Sequence, residues 1–201
     1  SGKQGLALAQ AAADRGAHVT LVAANLELPV PAGIEVVPVE TALHLQGEMT
    51  RRAPDHDVVV MVAAVADFRP AEYAASKIKK THDPAGPDAA PTIQLVRNPD
   101  VLAGLVEARG CATSPVIVGF AAETGDATGS VLELGRAKLA RKGCDLLVVN
   151  EVGVDKTFGA DDTTVHVLRR GSDDVVDIGP ASKTEVSHGI WDVVVGSVVA
   201  D

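Results

Sequence analysis

Lys77, Lys79 and Lys80 crowd three ammonium groups into four positions of a chain whose formal net charge is −9. Point charges gathered on one short segment suit an anion with several negative oxygens, and a diphosphate or triphosphate is a small ligand of that kind. A solvated charge cluster on a loop is the other reading of the same spacing. Upstream, Asp67 follows an apolar run, where a carboxylate can cap a turn, accept ribose hydroxyls or hold a metal ion. The glycine-rich opening Ser1–Gly5, with Ser1 and Gly2 at its head, has the composition of a turn that aims backbone N–H groups at phosphate oxygens. Lys138 and Lys142 stand four apart on one helical face, a spacing that by itself suits two solvated side chains. The histidines have no metal-ligand spacing, and GxSxG, GxxxxGK[ST] and HExxH are all absent.

These groups need a scaffold, and the chain alternates strand and helix patterns. "SGKQGLALAQAAADRG" passes from the glycine turn into an Ala-rich helix stopped at Gly16. Strand-like apolar runs follow at His18–Ala24, Ile34–Glu40 and Asp57–Ala66, with a helix from the Thr41 cap to about Arg52 between the last two. The unbroken apolar character of the third run predicts burial on both faces. Asp67–Pro91 reads as a long loop or flap. "TIQLV" resumes as a strand, and a helix follows with Asn98 as N-cap and Pro99 in its first position. "SPVIVGFAAE", a helix ending at Gly143, and "CDLLVVNEV" continue the alternation. "TTVHVLRRGSDDVVDIG" reads as a hairpin, and a last helix opens on Ser182 with Glu185 completing a capping box.

The pattern predicts one α/β domain over 1–201: a Rossmann-like, mostly parallel sheet with helices on both faces, a C-terminal β-hairpin and a long flap. Such sheets bind ligands beyond the carboxyl ends of their strands. Ser1–Gly5, "AAVADF", "GFAAETGD" and "VVNEVG" are expected there. A glycine turn of the opening type normally follows a strand, so that strand and part of the turn are expected upstream of Ser1. Net negative charge disfavours a nucleic-acid binder or a polybasic membrane-surface protein. Cys111 and Cys144 read as two free, buried thiols of a cytoplasmic protein. The longest apolar run, Val58–Ala66, is about half of a membrane span.

The motifs "AAVADFRP", "KIKK", "LVRNPDVL", "GFAAET" and "KGCDLLVVN", behind an opening similar to SSGK, run in the order seen in the phosphopantothenoylcysteine synthetases, or phosphopantothenate–cysteine ligases. The chain resembles that family over almost its whole length. The resemblance implies CTP-dependent joining of 4′-phosphopantothenate to L-cysteine through an acyl cytidylate, with Mg²⁺ on the phosphates. It also implies a homodimer, commonly fused to a flavin-dependent decarboxylase. Carried over by motif, Lys77 is the flap lysine on the phosphates and the catalytic candidate. Met61, Val62 and Ala63 match a nucleotide-contacting backbone segment, and Asp67 the nucleotide-contacting aspartate. Pro99, Asp100, Val101 and Leu102 match a stretch at a helix amino end, and Phe120 an aromatic contact. Lys138 and Lys142 match two further basic contacts. A family asparagine that stabilises the acyl intermediate is expected just upstream of Ser1.

Two other functions compete. A nicotinamide-dependent reductase needs a complete GxGxxG and an acidic residue closing the second strand of the fold, where "VTLVAAN" ends instead in Ala-Ala-Asn. A non-catalytic nucleotide-binding or assembly domain needs only the sheet rim and its charges.

Overall fold

A computed structural model describes residues 2–73, 76, 92–124, 129–151 and 162–198. Its elements, in chain order, are α1 (Lys3–Asp14), β1 (Val19–Ala24), β2 (Ile34–Val39), α2 (Ala42–Arg52), β3 (Val58–Met61), β4 (Phe68–Pro70) and β5 (Leu95–Arg97). They continue with α3 (Val101–Arg109), β6 (Val116–Glu123), α4 (Val131–Lys142), β7 (Leu146–Glu151), β8 (Asp162–Arg169), β9 (Val175–Ser182) and α5 (Lys183–Val198). The α/β class and the terminal hairpin are as the alternation predicts.

The strands divide differently from the single sheet expected. The central sheet has the order β3-β6-β7-β8-β9, parallel across β3, β6 and β7 and antiparallel beyond. Among the described residues, β1 and β2 form a separate parallel pair, and β4 and β5 an antiparallel ribbon. That ribbon begins inside the segment read as a loop from Asp67. The third strand stops at Met61 rather than Ala66, and beyond it the Asn98 side-chain amide donates to the Ala66 carbonyl at 2.8 Å. The lysine-rich part of the expected flap, with Lys77, lies outside the described residues.

β6 and β7 read as continuous apolar runs because helices cover both of their faces. On one face Ile117, Ala121, Leu147 and Val149 pack with Leu45 of α2, Leu105 of α3 and Leu139 of α4. On the other, Val116, Val118, Leu146 and Val148 pack with Leu8 of α1 and Val186, Ile190 and Val194 of α5. The two sets alternate along each strand, as the pleat requires. Polar ties hold α1 against α5: the Trp191 indole N–H donates to the Leu8 carbonyl at 2.9 Å, and the Gln4 amide to Ser187 Oγ at 3.0 Å.

The two thiols part company. Cys144 is buried between α4 and the sheet, whereas Cys111, expected buried, is exposed in the turn after α3. Burial pushes the Cys144 thiol up to about 11, so almost none of it is thiolate near neutrality. Iodoacetamide at about pH 8 is expected to alkylate Cys111 and spare Cys144 in the folded chain, and to reach both after denaturation. Intact-mass spectrometry reads the count directly; rapid native labelling of Cys144 would refute its placement.

Candidate functional site

A cavity of about 590 Å³ opens at the carboxyl ends of β3 and β6, beside the amino end of α3 and one face of α4. It is the position that open parallel sheets reserve for ligands. Met61 and Ala63 line it from the end of β3, Phe120 from β6, and Val101 and Leu102 from α3. Gly119 permits the close approach of α3: a Cβ there would lie 2.7 Å from Leu102 Cδ2 and 3.1 Å from Leu147 Cδ1.

The amino end of α3 is built differently from the expected pattern. Asp100, not Asn98, is the N-cap: its Oδ1 accepts the Ala103 amide at 3.1 Å, and the helix begins at Val101. Asn98 is occupied in bracing the cavity wall. Its backbone N–H donates to the Asp67 carbonyl at 2.8 Å, its side chain holds the Ala66 carbonyl, and its Oδ1 accepts from Arg69 at 3.2 Å. Pro99 precedes the cap and lines the cavity. The amides of Val101 and Leu102 have no acceptor among the described residues, leaving donors at the positive end of the helix dipole.

Among the described residues four cations face this space, Arg97, Lys138, Arg141 and Lys142, against the carboxylates of Asp67 and Asp100. The rim is therefore basic in a chain of net charge −9. Neither lysine is simply solvated, as spacing alone suggested: Lys138 is ion-paired with Glu123 at the end of β6, and Lys142 with Asp100. Burial raises the Asp100 carboxyl, but hydrogen bonds from Lys142 and the Ala103 amide and the charges of Lys142 and Arg141 outweigh it, holding the group below the usual carboxylate range. The Asp67 carboxylate makes no ion pair or hydrogen bond among the described residues and stands exposed on the wall. Arg97 stacks over Phe68, 5.9 Å from the ring centroid.

Of the residues singled out from sequence, Met61, Ala63, Asp67, Pro99, Asp100, Val101, Leu102, Phe120, Lys138 and Lys142 line this one cavity. Val62 does not line it and instead packs toward the α1–α5 face. Gly2, a left-handed residue at the start of α1 with φ 70°, is likewise not on the wall. Ser1 and Lys77 lie outside the described residues. Arg97, Asn98 and Arg141 line the cavity without having been given a ligand role, and Phe68 lines it as the end of the AAVADF segment expected at the rim. Arg141 was within reach of a spacing argument, since it follows Lys138 by three positions on the same helix. Arg97 and Phe68 meet only because β4 and β5 pair.

Comparison with known proteins agrees with this architecture. The family model described as the DNA/pantothenate metabolism flavoprotein C-terminal domain matches residues 1–197. The chain is 52% identical over 200 residues to the coenzyme A biosynthesis bifunctional protein CoaBC of Mycobacterium tuberculosis, covering 97% of this chain and 46% of that protein. It thus spans about half the length of the curated relatives it matches. The crystal structure of the C-terminal domain of a CoaBC aligns with a TM-score of 0.78 at 28% identity, covering 100% of this chain and 85% of that one. A Cab2 mutant in complex with phosphopantothenate-cysteine aligns with a TM-score of 0.70 at 17% identity, covering 99% of this chain and 78% of that one, and shows the shared fold.

Proposed function

The chain belongs to the DNA/pantothenate metabolism flavoprotein C-terminal domain family, and on that premise we propose that it ligates 4′-phosphopantothenate to L-cysteine at the expense of CTP, in coenzyme A biosynthesis. The observation that carries this reading is the convergence, on one cavity, of two strand ends, the free amides of α3 and the α4 cations. In the first step the pantothenate carboxylate attacks the α-phosphorus, and pyrophosphate leaves with the electrons of the broken P–O bond. In the second the cysteine amine attacks the acyl carbon and CMP departs.

Two anions repel at the first step, so the site must neutralise charge by position. The amides of Val101 and Leu102 and the ammonium groups of Lys138 and Lys142 supply fixed dipole and charge. Met61, Ala63, Leu102 and Phe120 offer an apolar floor for a base, and the free carboxylate of Asp67 an acceptor for ribose hydroxyls. Mg²⁺ belongs to the proposal as the companion of the nucleotide phosphates, where it screens their charge. Such an ion would be held chiefly by phosphate oxygens and its own waters.

Supported by the same family membership, the proposal includes a cytoplasmic homodimer and a flavin-dependent decarboxylase as a fused partner. The β4–β5 ribbon and its flanks expose Phe68, Tyr73, Ile93 and Leu95, an apolar surface that suits a second copy. Among the described residues no helix is long and apolar enough to cross a membrane.

The test is pyrophosphate release from CTP, Mg²⁺ and 4′-phosphopantothenate with cysteine omitted. Release that depends on phosphopantothenate is expected. No release, or equal release without that acid, counts against the ligase. Lys77→Ala is expected to abolish most turnover and to weaken nucleotide binding by about 1.5–3 kcal/mol, the worth of a charge-assisted phosphate contact. Wild-type kinetics in that variant, with loss in Lys79→Ala, would move the role along the cluster.

A further inference from the structure

The α4 cations on the cavity are not equivalent. Lys138 and Lys142 enter the site already neutralised, by Glu123 and Asp100. Arg141 lines the same cavity and, beyond the longer-range pull of its charge on Asp100, has no ion-pair or hydrogen-bond partner among the described residues. The two nearby acids have direct partners elsewhere: Asp100 holds Lys142 and the Ala103 amide and is touched by Arg141 only through its charge, and Glu123 holds Lys138. Arg136, on the same helix, turns away and donates to the Ser172 carbonyl at 3.2 Å.

We propose that Arg141 is a phosphate-binding residue of this site, holding the phosphate chain of the nucleotide or its pyrophosphate product. The inference rests on the nucleotide reading above and adds to it a residue that neither motif nor spacing had assigned. The physical ground is charge availability. A ligand anion approaching Lys138 or Lys142 must share each ammonium with a carboxylate, whose own negative charge opposes the anion. Arg141 feels Asp100 only at longer range and offers a cation with five donors and no hydrogen bond or ion pair to exchange. Its planar fork can also bridge two oxygens of one phosphate. The free amides of Val101 and Leu102 open on the same cavity and supply the complementary donors.

The experiment uses isothermal titration of the wild-type protein, Arg141→Gln and Arg141→Lys with CTP and, separately, with inorganic pyrophosphate, alongside the turnover assay. Arg141→Gln is expected to weaken both ligands by about tenfold or more, with an unchanged Tm. Arg141→Lys is expected to restore part of the loss, since it returns the charge but not the fork, whereas a merely structural role would show in the Tm instead. Pyrophosphate binding makes the outcome independent of the ligase reading. Weakened pyrophosphate binding in a protein that does not turn over sustains Arg141 and sinks the ligase. Normal turnover with Arg141→Gln binding both ligands like wild type overturns the Arg141 assignment alone. Wild-type protein that binds neither ligand overturns it as well.

Discussion

Asp145→Ala is expected to destabilise the fold by about 3–5 kcal/mol, the cost of breaking one side of a buried ion pair. Asp145 sits just before β7 and gathers four donors. The Arg109 guanidinium meets it with both terminal nitrogens, the Ile117 amide donates at 2.8 Å, and Arg170 at 2.7 Å. The Arg109 side chain is only 3% exposed, so alanine at 145 would strand a cation in the interior with the Pro115 carbonyl as its remaining acceptor. The Ile117 amide loses its side-chain partner at the same time. Because these donors come from α3, β6 and the end of β8, the damage spreads across the central sheet. Arg170→Ala is the control: that side chain is 55% exposed, water replaces its contact, and only a small fraction of the loss is expected. Urea unfolding of the three proteins decides the matter. Equal midpoints for Asp145→Ala and wild type would mean that Arg109 finds another partner.

Lys142→Met is expected to weaken nucleotide binding by roughly ten- to a hundredfold, or about 1.5–3 kcal/mol. Two effects add. The variant removes a cation that a phosphate can share, and it leaves the Asp100 carboxylate bare on the cavity wall, where it repels the ligand. Asp100→Asn separates them, since asparagine is as good an N-cap as aspartate but carries no charge. The double variant Asp100→Asn/Lys142→Met is therefore expected to recover part of the affinity that Lys142→Met loses, a non-additivity that titration calorimetry reads directly. Strict additivity would show that the pair does not act on the ligand together. The same pair links α3 to α4 in a pH-dependent way. Because the folded Asp100 carboxyl is held below its ordinary range, its stabilising contribution is fully present above the unfolded pKa and is lost as pH falls through the lowered folded value. Asp100→Asn should lack that acid-labile component.

What was legible in the linear chain follows from local rules. The pleat and the helix repeat reveal themselves through apolar period, so β6, β7 and the helices α2, α4 and α5 stand close to where the pattern puts them. The caps at Thr41 and the Ser182–Glu185 box are read from neighbours three positions apart, and they occur as read. The motifs marked the cavity residues because a site at strand ends is assembled from short segments directly after each strand.

Tertiary structure decided what depends on distant partners. Asn98 and Asp100 are both good caps in isolation, and the choice fell to Asp100 because the Ala66 carbonyl, more than thirty positions away, claims Asn98. Pairing with Leu95–Arg97 likewise made a strand of Phe68–Pro70, at the start of a segment with no period of its own. Lys138, Arg141 and Lys142 look alike along the helix. Their different states of charge compensation come from Glu123 on β6 and Asp100 on α3, which only folding brings beside them. Residue type and spacing therefore determined which elements form and which chemistry is on offer, since both are governed by near neighbours. Which cation is left free for a ligand was settled by packing, because an ion pair depends on distance through space and not along the chain.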